Sequence, residues 1–149
     1  MSPSPGVLRP ADLRQRLDRL PRLPLAHLPT PLQPLPRLAA ELGGPPLWVK
    51  RDDLTGLAFG GNKVRHYEYL IAHIKRRGYD SVINVMDRHS NNARVAAAAA
   101  NHAGLPYQLV VYNQVPGDLQ GNQLIDHVLG ARLHSCAGPA AEGTQLGSG

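Results

Sequence analysis

Apolar residues Val64, Tyr67, Leu70, Ile71 and Ile74 recur at spacings of three and four, the period of one face of an α-helix. The pattern predicts a first long helix from Asn62 to Arg77, stopped by Gly78. Ser81 to Met86 is a short apolar run and reads as a strand. A second helix, rich in alanine, is expected from Ala93 to His102, ended by Gly104, with Pro106 unable to continue it. Tyr107 to Tyr112 reads as a strand, Asn113 to Gly117 as a loop, Leu119 to Leu129 as a third helix closed by Gly130, and Ala131 to Ser135 as a last strand. Upstream, Leu35 to Leu42 suits a short helix stopped by Gly43-Gly44-Pro45-Pro46, and Leu47 to Lys50 a strand. Strands alternating with helices predict an α/β fold. The expectation is a three-layer parallel sheet with helices on both faces and right-handed crossovers.

The beginning of the chain follows different rules. Most of the 14 prolines fall between Met1 and Pro36. Ala11 to Leu20 has room for a short amphipathic helix with Leu13, Leu17 and Leu20 on one side. Beyond it, Pro21, Pro24, Pro29, Pro31, Pro34 and Pro36 are expected to forbid regular structure. The leucines between them suggest an extended arm lying across a neighbouring surface, with a polyproline ligand as the alternative. The expected organisation is a Pro-rich arm over 1–46, an α/β domain over 47–136, and a small, polar, loose tail over 137–149.

Composition narrows the function classes. The chain has 149 residues and a formal net charge of +5. A basic balance can signal nucleic acid, but the arginines are dispersed and aromatics are few. The charge reads as solubility with some attraction for an anionic cofactor, and no nucleic-acid partner is expected. No long apolar run suggests a membrane span or a signal-peptide core. Cys136 is the single cysteine, which excludes an internal disulfide and suits a reducing cytoplasm.

Two stretches carry candidate chemistry. Asn62-Lys63 follows Gly60-Gly61, so Lys63 is expected in the first turn of a helix behind a loop that can bend closely around a ligand. The positive end of the helix dipole and desolvation by a ligand both disfavour an ammonium there. A neutral amine is a nucleophile for carbonyls. Asp52 and Asp53 would point opposite ways in an extended segment, so turn and cap roles are expected rather than a metal site, with Asp53 capping the following loop. Ser90-Asn91-Asn92 lies where a strand's carboxyl end meets a helix start. That edge of a parallel sheet takes ligands, though serine and asparagine are also ordinary N-caps. His89 could serve as a base or simply be solvated. His66 and His73 lack a tight ligand spacing, and no metal is assigned.

Lys50-Arg51-Asp52-Asp53-Leu54-Thr55-Gly56-Leu57-Ala58-Phe59-Gly60-Gly61-Asn62-Lys63-Val64-Arg65 resembles the active-lysine segment of the D-cysteine desulfhydrase and 1-aminocyclopropane-1-carboxylate deaminase family. These are tryptophan-synthase-β-like, fold-type II pyridoxal-phosphate enzymes. Thr30-Pro31-Leu32-Gln33-Pro34-Leu35-Pro36-Arg37-Leu38 resembles the family's entry segment, and the likeness runs from about Leu28 to about Leu133. It implies pyridoxal 5'-phosphate as cofactor, Lys63 as the Schiff-base lysine and Ser90 as a catalytic group near the substrate. It also implies Asn62, Asn91 and Asn92 as cofactor neighbours, Asn91 meeting the ring hydroxyl. Asn92 stands where histidine or glutamine is usual. The resemblance implies a lyase or deaminase acting on a small amino acid. The family's C-terminal half, with its phosphate loop and its partner for the pyridine nitrogen, has no counterpart here. The expectation is therefore a truncated enzyme that works as a homo-oligomer or with a separately encoded C-terminal half. The rival is a non-catalytic α/β interaction domain that keeps the fold.

Overall fold

The computed structural model describes residues 8–112 and 119–136. The loop expected over 113–117 and the tail expected over 137–149 lie outside the described residues. Helix α1, Pro10–Leu17, starts with a proline at its first position, where a missing N–H costs nothing. Its leucine stripe is not buried: Leu13, Leu17 and Leu20 are all exposed.

The prolines that follow do not exclude regular structure. Strand β1, Leu32–Pro34, pairs antiparallel with β2, Trp48–Lys50, with Gln33 opposite Val49. The Arg51 N–H donates to the Pro31 carbonyl and the Leu35 N–H to the Leu47 carbonyl, each at 2.9 Å. These odd-numbered positions face the partner strand, so the nitrogen of Pro34 faces away and no ladder bond is lost. Helix α2, Pro36–Leu42, ends at Gly43 in the left-handed conformation (φ 59°), as the Gly-Gly-Pro-Pro stop predicts.

The rest of the arm lies extended against the body of the protein. Leu23, Leu25 and Ala26 pack on the core. The arm's backbone donors are taken up by α3, Lys63–Arg76, and the loop before it: Leu23 N–H bonds the Glu68 carbonyl at 2.9 Å and His27 N–H the Thr55 carbonyl at 3.0 Å.

Three strands, β3 (Val82–Asp87), β4 (Tyr107–Tyr112) and β5 (Arg132–Cys136), form a parallel sheet in the order β3-β4-β5. Val82 lies opposite Tyr107, and Leu109 opposite Leu133. Helix α4, Asn91–His102, connects β3 to β4, and α5, Gly121–Val128, precedes β5. Alanine favours the helix and adds little bulk. Ala93 and Ala96 to Ala100 are buried, and α4 packs against α3, α5 and the sheet. One core joins Val64, Tyr67 and Ile71 of α3 to Val95 of α4 and to Val82, Tyr107, Leu109 and Val111 of the sheet.

The fold is α/β with a parallel sheet, as the alternation predicts. Among the described residues, however, the helices cover one face of that sheet. Parallel crossovers are right-handed, so a strand order that advances in one direction puts successive helices on the same side. A second helical layer requires the order to reverse. The opposite face exposes Ile83 and Val85, each 61% accessible, together with Tyr112.

Candidate active site

The segment before Lys63 is built as a fixed loop. Asp52–Thr55 and Leu57–Phe59 are short 3-10 turns. Thr55 is fully buried. Its hydroxyl accepts from the Gly61 N–H at 2.9 Å and donates to the Asp52 carbonyl at 2.9 Å. Gly60 has φ +72°, and a Cβ there would stand 2.1 Å from the Asp53 carbonyl oxygen, so only glycine fits. Ala58 (φ 45°) and Phe59 (φ 68°) hold left-handed backbone, which is strained for residues with side chains. The diglycine is thus part of a constrained turn rather than a flexible hinge.

Ion pairing anchors this loop. Arg65 grips Asp52 with two bonds, at 2.8 and 3.0 Å, and Thr30 donates its hydroxyl to the same carboxylate at 2.9 Å. The Arg65 bond holds the Asp52 carboxyl below its ordinary range. Lys50 donates to the Thr30 carbonyl. Asp53, expected to cap the loop, instead pairs with Arg51 at 2.7 Å. The anchored loop delivers Asn62 and Lys63 to the start of α3, both exposed, and the Asn62 side chain makes no cap bond.

The second cluster begins at Ser90, which caps α4 by accepting from the Ala93 N–H at 3.2 Å. Asn91 is exposed, and its Oδ1 accepts from Asn122 Nδ2 at 3.1 Å. Asn92 turns inward, with its Nδ2 at 3.8 Å from Met86 Sδ and its side chain beside the Tyr67 hydroxyl. His89 is exposed; its N–H bonds Asp87 and its carbonyl accepts from Asn122. The two clusters meet through Arg94, whose guanidinium lies 5.4 Å from the centre of the Phe59 ring. That contact sets the lysine loop against the first turns of α4. Asn62 and Lys63 share one loop end and Ser90 and Asn91 the other, while Asn92 faces the interior.

Sequence reasoning missed several polar residues. Glu68, 1% exposed, accepts from the Leu25 and Ala26 N–H groups at 2.9 and 3.0 Å and from Arg22. Burial alone would raise its carboxyl, but these donors outweigh burial and hold it low. Asp126 is fully buried and has no hydrogen-bond partner for either carboxylate oxygen among the described residues. Arg94 and Asn122 were also unremarked. The available signals were a lone arginine in an alanine run and a glutamate beside the apolar Tyr67. Among the described residues no three side chains form a candidate metal cluster, and no helix is long and apolar enough to cross a membrane.

A serine–asparagine pair on a βα loop of the parallel sheet, with an exposed lysine at the start of the neighbouring α3, fits the class of cofactor-dependent α/β enzymes. The chain belongs to the pyridoxal-phosphate dependent enzyme family, whose model matches residues 23–147. It is 45% identical over 122 residues to the 1-aminocyclopropane-1-carboxylate deaminase of Ralstonia pickettii (strain 12J), covering 77% of this chain and 36% of that protein. It is 43% identical over 128 residues to the corresponding enzyme of Burkholderia vietnamiensis (strain G4 / LMG 22486), covering 81% of this chain and 38% of that one. The crystal structure of an ACC deaminase homologue superposes with a TM-score of 0.77 at 39% identity, over 87% of this chain and 38% of that one. A pyridoxal 5'-phosphate-dependent aspartate racemase shares the fold, at a TM-score of 0.58 and 20% identity. The fold is that of the fold-type II enzymes. This chain spans little more than a third of the length of the relatives it matches.

Proposed function

We propose that this chain is the lysine-bearing, amino-terminal part of a pyridoxal-phosphate-dependent lyase or deaminase acting on a small amino acid, of the D-cysteine desulfhydrase or 1-aminocyclopropane-1-carboxylate deaminase kind. One observation carries the reading. Of the three lysines, Lys50 donates to the Thr30 carbonyl and Lys75 to the Ala103 carbonyl, whereas Lys63 has no partner among the described residues. Lys63 also stands on the anchored loop that Phe59 and Arg94 set against α4.

The donor set fits the family's cofactor. Lys63 supplies the amine that meets its aldehyde. Asn62 and Asn91 offer neutral polar groups at the edge where a helix start favours anions. Ser90 accepts from the Ala93 N–H and donates its hydroxyl to Met86 Sδ at 3.7 Å, a weak bond that a ligand oxygen would replace with a stronger one. Bound pyridoxal phosphate supplies an electron sink for the carbon bonded to the substrate amine. In this reading Lys63 holds and returns the proton, and Ser90 orients the substrate.

The exposed apolar face carrying Ile83 and Val85 favours a second reading, a domain of this family that binds a partner without turnover. On the first reading, full activity draws on the remaining length of the relatives, as a C-terminal half or through a homo-oligomer that completes the site. The lone Cys136 fits a cytoplasmic setting for either reading.

The test is borohydride reduction of the protein mixed with pyridoxal phosphate, followed by peptide mapping. The pyridoxyl group is expected on Lys63 and lost in Lys63→Ala, with very low or no turnover by the chain alone. Labelling spread over Lys50 and Lys75, or unchanged in Lys63→Ala, overturns the assignment.

A further inference from the structure

Asn122, in the first turn of α5, belongs to no site described above, yet it touches the carboxamide of Asn91. The orientation of an amide is fixed only by partners whose own roles are unambiguous. Asn122 has two. Arg94 can only donate, and its Nη1 lies 3.1 Å from Asn122 Oδ1. The His89 carbonyl can only accept, and it lies 2.7 Å from Asn122 Nδ2. Both contacts demand the same orientation. The remaining N–H of Asn122 Nδ2 then points to Asn91 at 3.1 Å and requires an acceptor, which is Asn91 Oδ1. With its oxygen engaged, Asn91 presents its NH2 group outward.

From this geometry we propose that Arg94 and Asn122 are positioning residues that lock the Asn91 carboxamide, so that the start of α4 offers a hydrogen-bond donor and not an acceptor. The matching ligand atom is an acceptor, above all a phenolate oxygen such as the ionised ring hydroxyl of a pyridoxal-type cofactor. The inference rests on the proposed cofactor site for its ligand, but the orientation of Asn91 stands on this chain's own contacts. Arg94 has a double role, since the same guanidinium lies over Phe59 on the lysine loop. It ties the register of the two loops to the orientation of the amide.

Asn122→Asp tests this with little change in shape. The aspartate keeps an acceptor for Arg94 but turns an oxygen toward the His89 carbonyl and toward Asn91, which must then rotate its amide and show its oxygen outward. Pyridoxal phosphate, titrated by absorbance, is expected to bind the variant about tenfold more weakly, the loss of one hydrogen bond to a charged acceptor, with a shifted absorbance maximum. The 3-deoxy analogue, which lacks the ring hydroxyl, is expected to bind both proteins equally. Arg94→Lys, which retains a donor, should stay closer to the parent than Arg94→Met. Side-chain amide NMR supplies a readout free of cofactor. In the parent, the Asn122 NH2 protons should exchange slowly and the Asn91 NH2 protons fast; in Asn122→Asp the Asn91 protons should become protected. A folded Asn122→Asp protein that binds the cofactor like the parent, or an Asn91 amide that does not respond, overturns the proposal. Failure of the parent to bind pyridoxal phosphate would instead count against the function proposed above and leave the NMR comparison to decide this one.

Discussion

Asp126 shows how a single buried group tilts stability. Burial pushes its carboxyl up from the ordinary 3.8 to about 6, against the pull of Arg94. Between those values the folded protein holds a proton that the unfolded chain releases. Its contribution to stability is therefore fully present below pH 4 and is lost as pH rises through 6. The substitution Asp126→Asn keeps the shape and removes the charge at every pH. The variant is expected to be more stable at pH 7.5 by on the order of 2 kcal/mol, with the gap nearly closed at pH 4. Urea unfolding of both proteins across that range checks it. Asp52 and Glu68, whose carboxyls are held low, act in the opposite direction but equally in both proteins, so they cancel in the difference. None of this was legible from the sequence. Lys63 and Ser90 announced themselves through the glycines and the strand end beside them. Asp126, Glu68 and Asn122 are ordinary polar letters on helices, and their environment comes entirely from distant segments.

At the scale of elements, Glu68 joins the Pro-rich arm to α3. Its carboxylate holds Arg22 and two backbone N–H groups of the arm. Glu68→Ala would leave all of these donors without an acceptor, at an expected cost of about 3–5 kcal/mol. Chemical denaturation measures that cost. Limited trypsin digestion should show faster cleavage at Arg19 and Arg22 in the variant, with Glu68→Gln intermediate because it keeps an acceptor. Helices α3 and α4 were legible within a residue or two because their apolar period and glycine stops agree. Strand β1 was not. Its residues, Leu32, Gln33 and Pro34, carry a breaker, and only the pairing with Trp48–Lys50 shows that the missing N–H faces away from the ladder.

For the whole molecule, the sheet face left uncovered among the described residues sets the behaviour in solution. The α/β class and the parallel sheet were legible from the alternation of elements. The coverage of the sheet was not, because that depends on the direction in which strand order advances, and no local pattern encodes it. Ile83 and Val85 stand side by side in alternation on β3, open to solvent. Exposed apolar patches of this kind drive association. Sedimentation velocity is expected to show concentration-dependent self-association, reduced in an Ile83→Lys, Val85→Lys double variant that keeps its helical circular dichroism. A monodisperse monomer for the parent would contradict this.

Helix α4 has a further consequence, one of dimension. Ala93 and Ala96 to Ala100 give it a wall one methyl thick where it meets its neighbours. Helix α3 carries Lys63 on one flank, α5 carries Asn122 on the other, and Asn91 belongs to α4 itself. The girth of α4 is therefore the gauge that spaces the parts of the site. A valine in place of one of these alanines would break no hydrogen bond and touch no ligand, yet it would move the start of α3 relative to the start of α5. Tolerances in the spacing of the candidate site residues are set by side-chain volume several residues deeper in the protein.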